Sequence, residues 1–169
     1  MTIEIRTEEP GDREAVRRVN EAAFPTPTEA DLVDALREGG HVMPELCLVA
    51  VDGGEVVGHI CFSRAGLGEG EVLALAPMAV APERQNLGIG AELVGEALRR
   101  AEETDFPLVI VLGHADYYPR FGFDPASAYG IQPPFEVPDE NWMAYTLPGY
   151  VPGTRGTVAY ADPFTMAGP

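Results

Sequence analysis

The spacing of apolar residues along the chain predicts strands and helices in alternation. Residues 2–6 alternate apolar and polar, as a strand does. Apolar residues recur at helical spacing over residues 13–23 and 32–36, so both segments are predicted as helices. Asp12 is the predicted N-cap of the first helix, and residues 28–31 resemble a capping box at the start of the second.

A hairpin is predicted next, with strands over residues 46–51 and 56–62 and an Asp-Gly-Gly-Glu turn between them. If the turn is centred on its two glycines, Cys47 faces Ile60 and Cys61 points to the opposite side. We therefore expect no disulfide, and we interpret Cys61 as strand packing rather than as a nucleophile. The glycine-rich residues 66–70 are predicted as a flexible link.

The nearly unbroken apolar run over residues 72–80 predicts a strand that is buried on both faces. Pro77 cannot donate to a ladder, so we expect either an ordinary bulge there or a released edge that an extended ligand can pair with. A helix from residue 88 to about 103 and a strand over 107–112 complete a parallel βαβ unit. Three shorter elements follow: a helix over 115–121 and strands over 141–147 and 156–160.

Length and composition indicate one globular domain over residues 1–169, with 46% hydrophobic and 22% charged residues. The chain lacks an apolar run of about 18 residues, so no membrane span is expected. Its first residues lack the features of a secretory signal, and two cysteines are too few for a disulfide framework. From these absences we expect a cytoplasmic location.

The formal net charge is −16, and all eleven basic residues are arginines. An acidic surface disfavours nucleic acid and anionic membranes as partners. Any site for a polyanion must then rely on backbone N–H groups, with a local arginine such as Arg84 assisting.

Such a site is predicted where the apolar strand leads through a short turn into Gln-Asn-Leu-Gly-Ile-Gly, residues 85–90. The free N–H groups and the dipole of a helix N-terminus attract anions, and Gly88 and Gly90 let a phosphate approach the backbone. A dinucleotide fingerprint would need a third glycine at position 93, which is Leu93, and a Walker loop would need a lysine. Both of those interpretations are excluded.

Two motifs together resemble the GNAT superfamily of N-acetyltransferases: Gln-x-x-Gly-x-Gly at 85–90 and Tyr-x-x-x-Gly-Phe at 118–123. The longer string LGHADYYPRFGF, residues 112–123, resembles the YhbS-type branch of predicted acetyltransferases. The resemblance implies an α/β (α+β) fold with a mixed, mostly antiparallel central sheet, a splayed parallel strand pair and helices on both faces. It also implies direct transfer of acetyl from acetyl-CoA to a primary amine of a small molecule or protein, without a metal.

The resemblance assigns roles by position. Met78 and Val80 would pair through their backbone with the pantetheine arm, and Tyr118 would be the general acid toward the leaving thiolate, with the adjacent Tyr117 as its competitor. The pyrophosphate loop would consist of Gln85, Asn86, Leu87, Gly88, Ile89, Gly90 and Ala91.

The general base stays open at this point. His114 lies next to the tyrosine segment and is the preferred candidate, because an imidazole titrates near neutral pH. His59 and Glu71 are alternatives, as is an amine that arrives neutral, and a structural role competes with each of these assignments. Arg120 is interpreted as a solvated charge rather than as a CoA contact.

The acceptor amine is not identified by the sequence. The resemblance implies an acceptor pocket formed by residues 24–31 and 129–150. Four aromatic residues of the second segment either line that pocket or cover the sheet: Phe135, Trp142, Tyr145 and Tyr150. Three acidic residues there either attract a cationic amine or only face solvent: Glu136, Asp139 and Glu140. The alternative function is a non-catalytic acyl-CoA sensor, although a retained Tyr118 favours the enzyme. A monomer or homodimer is expected.

Overall fold

The fold was analysed in a computed structural model that describes residues 2–167; Met1 and residues 168–169 of the predicted domain lie outside the described residues. The strands are β1 (Ile3–Thr7), β2 (Val42–Asp52), β3 (Glu55–Leu67), β4 (Gly70–Val80), β5 (Leu108–Leu112), β6 (Asp124–Pro125), β7 (Ile131–Gln132), β8 (Trp142–Thr146) and β9 (Gly156–Ala159). The α-helices are α1 (Arg13–Ala23), α2 (Thr28–Glu38), α3 (Ile89–Ala101) and α4 (Asp162–Ala167).

The strands form a mixed sheet in the order β1-β2-β3-β4-β5-β8-β6, and β9 pairs with β3 and β7. Pairing of β1 with β2 and of β5 with β8 is antiparallel. Strands β4 and β5 are parallel, with Leu73 opposite Val109 and Ala74 opposite Ile110. The predicted fold class, a mostly antiparallel sheet with one parallel pair and flanking helices, is confirmed.

The chain divides into two compact units, each made of two chain segments. The N-terminal unit runs to Phe62 and includes Ala76–Arg100, and the C-terminal unit contains Ser63–Leu75 and the residues from Ala101 onward. Strands β3 and β4 therefore contribute residues to both units. The prediction of a single domain stays a prediction.

In the N-terminal unit, a glycine allows α3 to lie close to β3. A Cβ atom on Gly58 would come within 2.9 Å of Leu93 Cδ1 and 3.2 Å of Ile89 Cγ2. Ile89 and Leu93 are themselves buried, and Ile89 is the first residue of α3. This packing fixes the N-terminal end of the helix that follows the predicted anion loop.

The C-terminal unit has its own apolar core around β5 and β8. Trp142 is only 1% exposed and packs in one cluster with Leu108, Ile110 and Val158. Its indole Nε1 donates a hydrogen bond of 3.0 Å to the carbonyl oxygen of Ile131. The buried indole is thereby satisfied, as its burial requires.

The prediction that Cys47 and Cys61 point to opposite sides of the hairpin is wrong. Their Sγ atoms lie 2.7 Å apart, and both are buried, free thiols. The turn itself is as predicted, because Gly53 and Gly54 both adopt positive φ. Since side chains alternate along a strand, the contact requires one strand to shift by a residue relative to the other, as a β-bulge does.

Asp12 is the N-cap residue of α1, as predicted, but its side chain makes no capping bond to that helix. Its carboxylate instead accepts bonds from the Arg6 guanidinium at 2.7 and 3.0 Å and from the backbone N of Glu9 at 2.7 Å. Thr28 is the first residue of α2, and the N-cap is Pro27. The predicted capping box is therefore wrong, because proline has no side-chain oxygen that could cap a helix.

Two further segments are corrected. The flexible link predicted over residues 66–70 is a two-residue turn at residues 68–69, because β3 continues to Leu67 and β4 begins at Gly70. The helix predicted over residues 115–121 is reduced to a single 3-10 turn at Tyr118–Phe121.

Candidate active site

The loop before α3 leads from the end of β4 into an exposed helix start. A 3-10 turn at Pro82–Arg84 is followed by Gln85, and residues 85–88 are exposed. Asn86 and Gly88 adopt φ of 66° and 87°, a region that glycine and, less readily, asparagine tolerate. The two positive φ angles turn the chain sharply into the helix.

The first turn of α3 presents backbone N–H groups. The backbone N of Glu92 donates to the Gly88 oxygen at 3.1 Å. The N–H groups of Ile89, Gly90 and Ala91 precede this bond, so the helix itself offers them no acceptor. Together with the helix dipole, they make this end suited to an anion.

Side chains anchor this loop to the neighbouring strands. Gln85 Nε2 donates to the carbonyl oxygen of Val80 at 3.0 Å. The backbone N of Ala81 donates to the carbonyl oxygen of Val57 at 2.9 Å. The Arg84 guanidinium is paired with the carboxylate of Asp52 in the β2–β3 hairpin. The arginine expected to assist anion binding is thus engaged within the protein, and the backbone groups are what the loop offers an anion.

In the C-terminal unit, Tyr118 lies in the 3-10 turn that follows β5. It is 8% exposed, and its ring contacts Tyr117 and Phe123 edge-on, with centroid distances of 5.1 and 5.6 Å. Burial, together with the neighbouring Tyr117, raises the pKa of Tyr118 to about 12. The phenol therefore keeps its proton at neutral pH and is available as a donor of that proton.

The other candidates in this segment are more exposed. His114 is exposed, and its carbonyl oxygen accepts from the backbone N of Tyr117 at 3.1 Å and of Tyr118 at 3.4 Å. Tyr117 is half-buried, and the Arg120 guanidinium carbon lies 4.7 Å from the centroid of its ring. Arg120 Nε also donates to the Tyr117 carbonyl at 2.9 Å. Arg120 is therefore held against its own loop.

The two alternative bases, His59 and Glu71, lie in opposite environments, one closed to solvent and the other exposed. His59 is fully buried, and burial together with the charge of Arg37 lowers its pKa to about 3, so its imidazole is neutral and closed to solvent. Its Nδ1 lies 3.3 Å from Asn20 Nδ2. Glu71 is exposed and lies 3.9 Å from Arg64.

The aromatic residues considered for the acceptor pocket are engaged in other contacts. Trp142 belongs to the core, and Tyr150 packs against that same core cluster. Phe135 stacks on Tyr160 with a centroid distance of 6.1 Å, and the Tyr145 hydroxyl donates to Glu102 at 2.7 Å. These contacts agree with the interpretation that the aromatic side chains cover the sheet. Three acidic side chains of the same segment are exposed: Glu136, Asp139 and Glu140.

The predicted site residues thus fall into two groups. Met78, Val80 and residues 85–91 lie in the N-terminal unit, and His114 and Tyr118 lie in the C-terminal unit. Within residues 2–167 no group of His, Cys, Asp and Glu side chains is placed to hold a metal ion. Of the helices in the described chain, none is both long and apolar enough to span a membrane.

The chain belongs to the acetyltransferase (GNAT) family, which residues 13–123 match. It is therefore an N-acetyltransferase by family, as the two motifs predicted. The loop at 85–91 and the tyrosine turn both fall within the matched residues.

Two Escherichia coli K12 proteins align along almost the whole chain. The uncharacterized N-acetyltransferase YjhQ is 38% identical over 161 residues, which cover 90% of this chain and 88% of YjhQ. The uncharacterized N-acetyltransferase YhbS is 32% identical over 165 residues, which cover 95% of this chain and 97% of YhbS. The resemblance to the YhbS-type branch is confirmed.

Two solved structures have the same fold and contain the coenzyme. The crystal structure of E. coli YhbS in complex with CoA has a TM-score of 0.90 at 29% identity, covering 96% of this chain and 92% of that chain. The crystal structure of a GNAT family acetyltransferase from Brucella melitensis in complex with acetyl-CoA has a TM-score of 0.80 at 32% identity. The match covers 96% of this chain and 98% of that chain.

Proposed function

We propose that this protein transfers an acetyl group from acetyl-CoA directly to a primary amine. The observation that carries the proposal is the loop before α3, where the N–H groups of Ile89, Gly90 and Ala91 precede the first intrahelical bond. The loop would hold the pyrophosphate through residues 85–91, and the backbone of Met78 and Val80 would pair with the pantetheine arm. The two relatives crystallised with CoA or acetyl-CoA support this assignment.

In the proposed reaction, the amine nitrogen forms a bond to the thioester carbonyl carbon and the carbon–sulfur bond breaks. Tyr118 donates its phenolic proton to the departing sulfur, a role that its retained proton supports. His114 takes the proton that the amine nitrogen loses, since it is the exposed imidazole in the same segment. No covalent enzyme intermediate is required.

The partners are proposed from charge. A net charge of −16 disfavours nucleic acid and anionic membranes, and it suits a cationic amine carried by a small molecule or a protein. We further propose that residues 1–169 act as one acetyltransferase domain. A monomer or homodimer and a cytoplasmic location stay predictions.

Calorimetric titration with acetyl-CoA, at low and high salt, tests the binding half of the proposal. Gly88→Val should abolish binding, because a β-branched residue is strained at a φ of 87°. Gly95→Ala, further along α3 with open space around its Cβ position, is the matched control and should bind normally. Equal affinity in all three proteins would refute the pyrophosphate site.

Release of free CoA in the presence of an amine panel tests the catalytic half. Tyr118→Phe should retain affinity for acetyl-CoA and lose about ten- to a hundredfold in turnover, as expected when one general acid is removed. Unchanged turnover would refute the role of Tyr118. Binding without turnover on any amine of the panel would favour the acyl-CoA sensor instead.

A further inference from the structure

Asn141 forms a two-point clamp on the residue that follows β5. The backbone N of Gly113 donates to the Asn141 carbonyl oxygen at 3.0 Å, and Asn141 Nδ2 donates to the Gly113 carbonyl oxygen at 3.0 Å. Both polar backbone groups of Gly113 are thereby bonded to one residue. Asn141 is 28 positions away in sequence, so the clamp is a tertiary contact.

Gly113 in turn forms the surface on which the Tyr118 ring rests. A Cβ atom on Gly113 would lie 2.4 Å from Tyr118 Cε2 and 2.9 Å from its Cδ2, distances at which the ring would have to move. The ring therefore packs directly on the glycine backbone. Any displacement of Gly113 is transmitted to the ring because nothing lies between them.

The clamp is attached to a rigid part of the C-terminal unit. Asn141 immediately precedes β8, whose Trp142 pairs with Leu112 of β5 and is 1% exposed. The backbone N of Asn141 donates to the Pro138 oxygen at 3.0 Å. Asn141 is thus fixed on both sides, while the segment that it holds carries His114 and Tyr118.

We propose that Asn141 is a positioning residue for Tyr118: through Gly113 it fixes the orientation of the ring whose phenol donates the proton. This inference rests on the proposed function of Tyr118 as the proton donor to CoA. It extends that function to a residue outside both sequence motifs.

The test measures the pKa of the thiol of CoA bound to the intact protein. A phenol that donates to the sulfur stabilises the thiolate and lowers the thiol pKa. The thiolate is followed by ultraviolet absorbance against pH, and the complex with desulfo-CoA is subtracted to remove the tyrosinate signal. Tyr118→Phe should raise the thiol pKa by about one pH unit, and Asn141→Ala should produce half of that rise or more.

Thr104→Ala is the matched control. Thr104 also bridges two backbone groups of the C-terminal unit, donating to the Ala101 oxygen at 2.7 Å and accepting from the backbone N of Phe106 at 3.4 Å. Its loss should lower the melting temperature without moving the thiol pKa. If Asn141→Ala does not fold, Asn141→Asp keeps the size of the side chain and removes the donor.

The outcomes separate the two proposals. A rise in Asn141→Ala that is absent in the Tyr118→Phe background supports the positioning role, because the two residues then act as a unit. A rise in Tyr118→Phe without one in Asn141→Ala overturns the role of Asn141 alone. An equal effect of Asn141→Ala in both backgrounds also overturns it. No rise in Tyr118→Phe overturns the proposed role of the tyrosine, and the role of Asn141 with it.

Discussion

Mild acid should destabilise this protein through His59. The imidazole is fully buried, and burial and the charge of Arg37 lower its pKa to about 3. An unfolded chain holds histidine at a pKa of about 6.5, so between these two values the unfolded state binds a proton that the folded state does not. The free energy of unfolding must then fall as the pH falls through this window.

The size of the effect follows from the two pKa values. Below about pH 6.5 the stability contribution is lost at about 1.4 kcal/mol per pH unit, so acidification from about pH 7 to about pH 4.5 costs about 2.5 kcal/mol. For a domain of this length, that loss lowers the melting temperature by about 5–10 °C. Burial raises the pKa of Glu8, an acid, so Glu8 contributes with the opposite sign.

Urea unfolding at the two pH values measures the effect, with the fluorescence of Trp142, the single tryptophan, as the probe. The wild type should lose about 2.5 kcal/mol more on acidification than His59→Gln, because the carboxylates contribute equally to both proteins. His114→Gln, which replaces an exposed histidine, should follow the wild type. Equal losses in the wild type and His59→Gln would show that the folded imidazole is accessible to protons and would refute the reasoning.

Three further outcomes are expected. Gly95→Ala should stabilise the protein by about 0.5–1 kcal/mol in thermal unfolding, since its Cβ would meet open space in a helix; no gain would contradict this. Gly149→Ala should cost about 1–3 kcal/mol, because its Cβ would lie 2.9 Å from the Asp105 carbonyl oxygen, and a neutral result would indicate a different turn. Cys47 and Cys61 should react with a thiol reagent only in denaturant, because both side chains are buried. The hydrogen bond to Cys47 and burial also raise the pKa of Cys61, which keeps its thiol protonated. Rapid labelling of the native protein would disprove this expectation.

Local patterns in the sequence predicted the elements well where the spacing of apolar residues marks the buried positions. The helix at residues 13–23 and the parallel pairing of β4 with β5 followed from apolar spacing and from the strand-helix-strand order. The Gly-Gly turn of the hairpin also followed from its residue types. The register of the hairpin did not follow from the sequence, because a one-residue shift changes which residues face each other without changing the apolar composition of the strands. The contact between Cys47 and Cys61 is the example.

The candidate site was predicted only as far as its motifs extend. Residues 85–91 were proposed from the pattern of a strand, a glycine-bearing turn and a helix start, and Tyr118 was proposed from the resemblance to the family. Asn141 was missed because its role depends on a contact with Gly113 that only the folded chain creates. An asparagine before a strand has no distinguishing local pattern, so the sequence contained no signal for it.

The division of each unit into two chain segments constrains the order in which the protein can form during synthesis. The N-terminal unit needs Ala76–Arg100, so it cannot be complete until Arg100 has left the ribosome, although its first segment ends at Phe62. By then Ser63–Leu75 has already emerged and must wait for the rest of its unit, which begins only at Ala101. Neither unit can therefore be obtained as a single uninterrupted fragment, and a nascent chain that stalls between these points exposes apolar strand residues.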